Sequence, residues 1–274
     1  AMTLAAATRR WSVSRDDWTL IKTIARYALV GYVMGVTNDL ADARGTLLPD
    51  HYAPLPDIGF DYVPHVPELA TLPDHLIKLL FIVVFLRIFL ASRARRQLAA
   101  LFLEQHMLLM LLRSLTVALT ILPAPAPTCS YRVSAKPAHF LLEPLLRMLR
   151  PDGLSSWCND MLYSGHAMFF VLGALFINES GGHWAWRIAG WLIAVGGIAA
   201  LISARVHYSV DVVIATIIAC LVFWHYQIQV RVLFTTCSET VTYDVHGRHH
   251  HRRQTTRHHH LHRYHHATAH HQHA

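Results

Sequence analysis

Long apolar runs separated by short charged stretches are the feature that most restricts what this chain can fold into. Leu76–Leu90 reads LIKLLFIVVFLRIFL and Trp191–Ser203 reads WLIAVGGIAALIS. A bilayer core of about 30 Å takes roughly 20 apolar residues per helical span, and several runs here meet that demand. Across the 274 residues 53% are apolar and only 15% charged, against about a quarter charged in a soluble domain. The chain reads as a polytopic membrane protein of the all-α class.

Six spans are expected: Trp18–Asn38, His75–Leu90, Gln105–Leu122, Met161–Ile177, Trp184–Ser203 and Ser209–Tyr226. In the first, Lys22 and Arg26 interrupt the apolar run, and both can snorkel to headgroups. Three units follow: an N-terminal segment 1–17, a six-span domain 18–228 and a tail 229–274. Basic residues fix the orientation. Arg9, Arg10 and Arg15, then Arg93, Arg95 and Arg96, then Arg231, Arg248, Arg252 and Arg253 all fall on one side of a six-span chain. The positive-inside rule makes that side cytosolic. The formal net charge of +7 is explained by these anchors, so nucleic acid is not an expected partner.

The outer segments differ in kind. Residues 39–74 hold Pro49, Pro54, Pro56, Pro64, Pro67 and Pro73, a density that forbids a regular helix and gives a stiff loop. Spans five and six join through Ala204–Tyr208 alone, a tight hairpin. The tail carries thirteen of the 22 histidines after Asp244 and reads as disordered. Cys129, Cys158, Cys220 and Cys237 form no CxxC pair, so no zinc site is expected. Cys129 and Cys158 would be able to pair in an oxidising lumen. No cleavable signal peptide is expected, because the N-terminus lacks a compact apolar stretch followed by small residues.

Ionisable groups within spans are costly and point to function. Three clusters stand out: Cys158 to His166 at the outer end of span four, Arg205 to Asp211 across the hairpin, and Arg113 with Ser114 and Thr116 in span three. His207 and Asp211 are four apart and share a helix face. A carboxylate on one imidazole nitrogen fixes the tautomer and frees the other nitrogen to attack. Span four enters from the outer side and span five returns to it, so His166 and His207 reach similar depth. Each residue also has an ordinary reading: an interfacial hydrogen bonder, a cap on span six for Asp211, a packing partner for Arg113. Their coincidence at one depth favours chemistry.

At these residues the chain resembles the sphingomyelin synthase family, within the wider lipid phosphate phosphatase superfamily. The family pattern Cys-Gly-Asp, three residues, Ser/Thr-Gly-His-Thr is met by Cys158, Asp160, Ser164, Gly165 and His166, with Asn159 for Gly and Ala167 for Thr. The pattern His-Tyr-Thr/Ser-x-Asp is met by His207, Tyr208, Ser209 and Asp211. Pro54-Leu55-Pro56-Asp57, Asp61 and Pro64 match a third segment, and Arg113, Thr116, Thr120, Leu122 and Pro123 a fourth. The resemblance covers residues 54 to 226 in order.

The resemblance implies a site facing the lumen or exterior in a multi-pass protein of the Golgi or plasma membrane. It implies transfer of phosphocholine or phosphoethanolamine from a glycerophospholipid to ceramide, releasing diacylglycerol, with no cofactor and no metal. His207 would be the nucleophile, Asp211 its orienting partner and His166 the acid then base. Arg205, Ser164, Tyr208, Arg113, Asp160, Asp57 and Asp61 would bind phosphate or substrate. Homo-oligomerisation stays open. Asp57, Asp61, Tyr62, Asp152, Trp157 and Tyr163 suit a cationic amine headgroup, or equally an interfacial aromatic belt. Two other functions compete. A phosphatase or phospholipase C-like hydrolase would pass the group to water, yet the superfamily's Lys, six residues, Arg-Pro appears here as Lys136 with Glu143-Pro144. A non-enzymatic lipid binder would have lost His166, His207 or Asp211, and none is lost.

Overall fold

The computed structural model describes residues 15–45, 54–90, 95–125, 161–180 and 183–239. Among them every regular element is helical: α1 (Arg15–Gly45), α2 (Ile58–Tyr62), a 3-10 turn at Pro67–Leu69, α3 (Leu72–Leu90), α4 (Arg95–Leu119), α5 (Gly165–Glu179), α6 (Trp184–Ser203) and α7 (Ser209–Glu239). The chain divides into a unit Ala1–Val230 and a second unit Arg231–Ala274. The core and the site lie in the first. The histidine-rich stretch, Cys129, Cys158 and Asp160 lie outside the described residues.

Among the described residues, four segments are long and apolar enough to cross a membrane: Pro67–Leu90, Arg95–Leu119, Trp184–Ser203 and Ser209–Ile228. Two of the expected spans have a different character. Helix α5 is apolar but has 15 residues, about 22 Å at 1.5 Å per residue. It starts at Gly165 rather than Met161 because the intervening residues make a sharp turn, with Leu162 at φ 71°. Helix α1 has 31 residues, but Lys22, Arg26, Asp39 and Asp42 keep its apolar stretch short.

Polar contacts hold α1 along α4. Thr23, Asn38 and Ala41 are buried, with Tyr27, Val30 and Met34 partly so, a stripe at helical spacing. The Tyr27 hydroxyl lies 2.8 Å from His106 Nδ1, and Arg44 Nη1 donates to the Ala118 carbonyl at 2.6 Å. Helix α4 starts ten residues before the expected Gln105, since Arg95, Arg96 and Gln97 are good helix formers that continue it beyond the apolar part. Helix α7 likewise runs to Glu239, past the expected end at Tyr226.

Glycines set the spacing of the central helices. Gly190, Ala194, Gly197 and Leu201 are buried on one face of α6, and a Cβ on Gly197 would collide with the Phe170 ring of α5. Gly173 of α5 does the same for α3, because a Cβ there would lie 2.8 Å from Leu80 Cδ2. Small residues let helix backbones approach closely where no water-driven force separates lipid from protein. Leu80, Val84, Phe102, Phe169, Phe170 and Phe176 fill the shared core, with Phe102 and Phe176 edge to face at 5.1 Å. Helix α3 thereby touches α4, α5 and α6.

The proline-rich segment is ordered over the described residues 54–71 and lies on one end of the bundle. Its prolines sit where they cost least, with Pro67 opening the 3-10 turn and Pro73 in the first turn of α3. The Val66 amide donates to the Ser203 carbonyl at 2.9 Å, which ties the segment to the end of α6. Helices α3, α5 and α7 begin at this end, and α4 and α6 finish there.

Candidate active site

The turn between α6 and α7 is built by two interactions that its residue types dictate. Arg205 takes a left-handed backbone, φ 54°, which costs a non-glycine residue of order 1 kcal/mol or more. Asp211 then folds back. Its Oδ2 accepts from the Tyr208 amide at 3.0 Å and its Oδ1 from the Leu162 amide at 3.0 Å. One carboxylate therefore fixes both the α6–α7 turn and the turn that leads into α5. Asp211 is fully buried.

His207 lies in that turn with its side chain 3% exposed, and its Nδ1 is 3.6 Å from Asp211 Oδ2. The spacing exceeds a formed hydrogen bond, as is common before substrate closes a site. With Nδ1 turned to the carboxylate, Nε2 is the nitrogen not committed to it. The second imidazole comes from the first turn of α5, where Ser164 caps the helix and its hydroxyl accepts from the Ala167 amide at 3.2 Å. His166 and His207 have ring centroids 6.1 Å apart.

His166 has its own carboxylate, one that sequence reasoning did not find. Its Nε2 is 2.7 Å from Asp74 Oδ1, with side chains 20% and 19% exposed. Asp74 stands in the first turn of α3, where an acid has an ordinary explanation as a partner of the helix dipole. Only the 92-residue separation closed by the fold reveals the pair. The two imidazoles use opposite nitrogens: His166 keeps Nδ1 available where His207 keeps Nε2.

Arg113 reaches the same place from α4 and is buried. Its guanidinium passes over Gly165, where an added Cβ would be 3.2 Å from Nε. The glycine before His166 thus makes room for a cation at the start of α5. Arg205 has its guanidinium carbon 5.1 Å from the Phe60 ring centre, and its Nε is buried with no hydrogen-bond partner. The Tyr163 hydroxyl is also buried and unpartnered. Buried polar atoms left unsatisfied are uncommon.

The remaining candidates have structural occupations. Asp57 Oδ1 accepts from the Gly59 amide at 2.9 Å and the Ser209 hydroxyl at 2.7 Å, and Oδ2 accepts from the Ser209 amide at 2.8 Å. It caps α2 and α7 at once and clamps the proline-rich segment to the hairpin. Tyr208 is buried, lies tilted against the Phe60 ring and donates to the Pro123 carbonyl at 3.0 Å. Its hydroxyl also accepts from the Leu55 amide at 3.2 Å, so it joins three segments. Asp61 is exposed on α2.

Residues 157–228 match a family model described as PAP2 superfamily C-terminal. That region holds His166, His207, Asp211, Ser164 and Arg205, whereas Asp74, Arg113 and Asp57 come from segments before it. Beyond the PAP2 match, the chain is similar to rat phosphatidylcholine:ceramide cholinephosphotransferase 2, 33% identical over 171 residues, which is 59% of this chain and 46% of that protein. It is 34% identical over 128 residues to human phosphatidylcholine:ceramide cholinephosphotransferase 1, covering 43% of this chain and 31% of the relative. The human type 2 protein is 31% identical over 171 residues, again 59% and 46%. The matched part spans about half the length of these relatives or less.

Proposed function

We propose that this protein is a sphingolipid synthase that moves a phosphocholine group from phosphatidylcholine to ceramide through a phosphohistidine. The observation that carries the reading is a pair of imidazoles 6.1 Å apart, each faced by its own carboxylate. A near-attack nitrogen stands about 3–3.5 Å from its target, and an acid about 2.6–3.2 Å from the atom it protonates. One tetrahedral phosphorus centre fits between groups at that separation. The relatives' names supply the choice of phosphatidylcholine and ceramide.

In the first step His207 Nε2 attacks phosphorus, the nitrogen–phosphorus bond forms and the bond to the diacylglycerol oxygen breaks. His166 gives that oxygen its proton. In the second step the ceramide primary hydroxyl passes its proton to His166 as its oxygen attacks phosphorus, and His207 leaves. Splitting the exchange this way replaces one hard step by two easier ones. Asp211 stabilises the imidazolium of His207, and Asp74 does so for His166. Arg113 and Arg205 would meet the phosphoryl oxygens, where fixed positive donors stabilise developing charge. The partly exposed His166 suits a role that serves two different alcohols, while the enclosed His207 suits one covalent partner.

In the same reading the bundle has six spans with both ends cytosolic. The histidine end faces the lumen or exterior of a Golgi or plasma membrane. Lys22, Arg26, Arg87, Arg95, Arg96 and Arg187 all stand toward the opposite end of their helices, which is the pattern the positive-inside rule requires. The test is the full chain reconstituted with ceramide and isotopically labelled choline, ethanolamine or inositol phospholipid. Sphingomyelin with equimolar diacylglycerol is expected from the choline donor. Release of free phosphocholine with no ceramide product would make the protein a hydrolase instead.

A further inference from the structure

Far from the two histidines, the last turns of α3, the first turns of α4 and the start of α1 border an open groove of about 870 Å³. The volume is in the range of small-molecule sites, about 300–1,000 Å³. Its floor is apolar. Phe81, Phe85 and Phe89 recur every fourth residue along α3, with the first two rings 4.4 Å apart, and Leu20 of α1 closes one side. Its rim is cationic. Arg95 and Arg96 line it from the first turn of α4, both exposed.

We propose that this groove seats an anionic glycerophospholipid, with an acyl chain along the phenylalanines and the phosphate on Arg95 and Arg96. An apolar groove on a membrane-spanning bundle meets acyl chains by default, so the rim decides which lipid stays. Guanidinium forks match phosphate oxygens two at a time, and basic pockets between spans favour anionic headgroups. The site is separate from the one that carries chemistry. Arg95 precedes Arg113 by 18 residues on α4, about 27 Å along the helix, and no histidine is among the described residues that line the groove.

The test uses the purified full chain in neutral detergent, titrated with dioleoyl phosphatidylglycerol or dioleoyl phosphatidylcholine and read by native mass spectrometry. Replacing both arginines (Arg95→Gln with Arg96→Gln) is expected to weaken phosphatidylglycerol binding on the order of thirtyfold, roughly fivefold per basic contact. Phosphatidylcholine binding should stay as in the wild type. Ala99→Trp keeps both arginines but fills the groove, and it too is expected to weaken phosphatidylglycerol. Phosphatidylglycerol affinity untouched by the double substitution would overturn the headgroup assignment. Affinity untouched by Ala99→Trp would overturn the groove as its seat.

Discussion

Removing the charge of Asp74 separates the roles of the two histidines. Asp74→Asn keeps the shape of the side chain but replaces a carboxylate 2.7 Å from His166 Nε2 with a neutral amide. A hydrogen bond to a charged group contributes about 1.5–3 kcal/mol, and this pair is one-fifth exposed, so water offsets part of that. A loss of about 1.4–2.7 kcal/mol in transition-state stabilisation corresponds to roughly 10- to 100-fold in rate. The loss is smaller than the roughly 10⁴-fold found for the buried aspartate of a serine protease triad, because Asp74 is more open than that group. The assay compares two donors in stopped-flow: phosphatidylcholine, whose alkoxide needs a proton to depart, and p-nitrophenyl phosphocholine, whose phenolate does not. Asp74→Asn should slow diacylglycerol release by that factor and leave the first p-nitrophenol burst near the wild-type rate. Equal slowing with both donors, or no slowing with either, would refute the assignment of Asp74 and His166 to the leaving group.

Two further outcomes follow from the geometry. Asp57→Ala removes the cap shared by α2 and α7, and at about 0.5–2 kcal/mol per cap it should lower the melting temperature in detergent by several degrees. A melting temperature unchanged from wild type would contradict the clamp. A glycosylation acceptor placed beside Gly59 should be modified in the secretory pathway, and one placed beside Arg95 should not; the reverse result would invert the bundle.

Much of the site was legible because its parts are local. His207 and Asp211 are one helical turn apart, and the expected spans bring His166 and His207 to similar depth, so spacing and span order group them. Asp74 was not legible, since an acid at a helix start has an ordinary reading and its partner is 92 positions away. Asp57 shows the converse. The resemblance assigns it to substrate, whereas three of its contacts go to α2 and Ser209. In the fold, apolar length located the cores of α3, α6 and α7 well. It misjudged where α4 begins, because charged helix formers extend a helix past the apolar run without altering its period. It also could not show that the inner face of α1 is partly polar, with Thr23, Tyr27 and Asn38 turned to the bundle. That face depends on contacts such as Tyr27 with His106 rather than on apolar area.

The central claim is that the phosphoryl group rests on His207 between the two half-reactions. The direct measurement supplies phosphatidylcholine labelled with ³²P, withholds ceramide, quenches in base to preserve phosphoramidates, and maps the labelled peptide by mass spectrometry. Label is expected on His207, chased into sphingomyelin when ceramide is added, with none in His207→Ala. Asp211→Asn should form the adduct slowly, and His166→Ala should accumulate little of it from the natural donor. Headgroup transfer that persists in a folded His207→Ala variant, or label found on His166 instead, would contradict the mechanism.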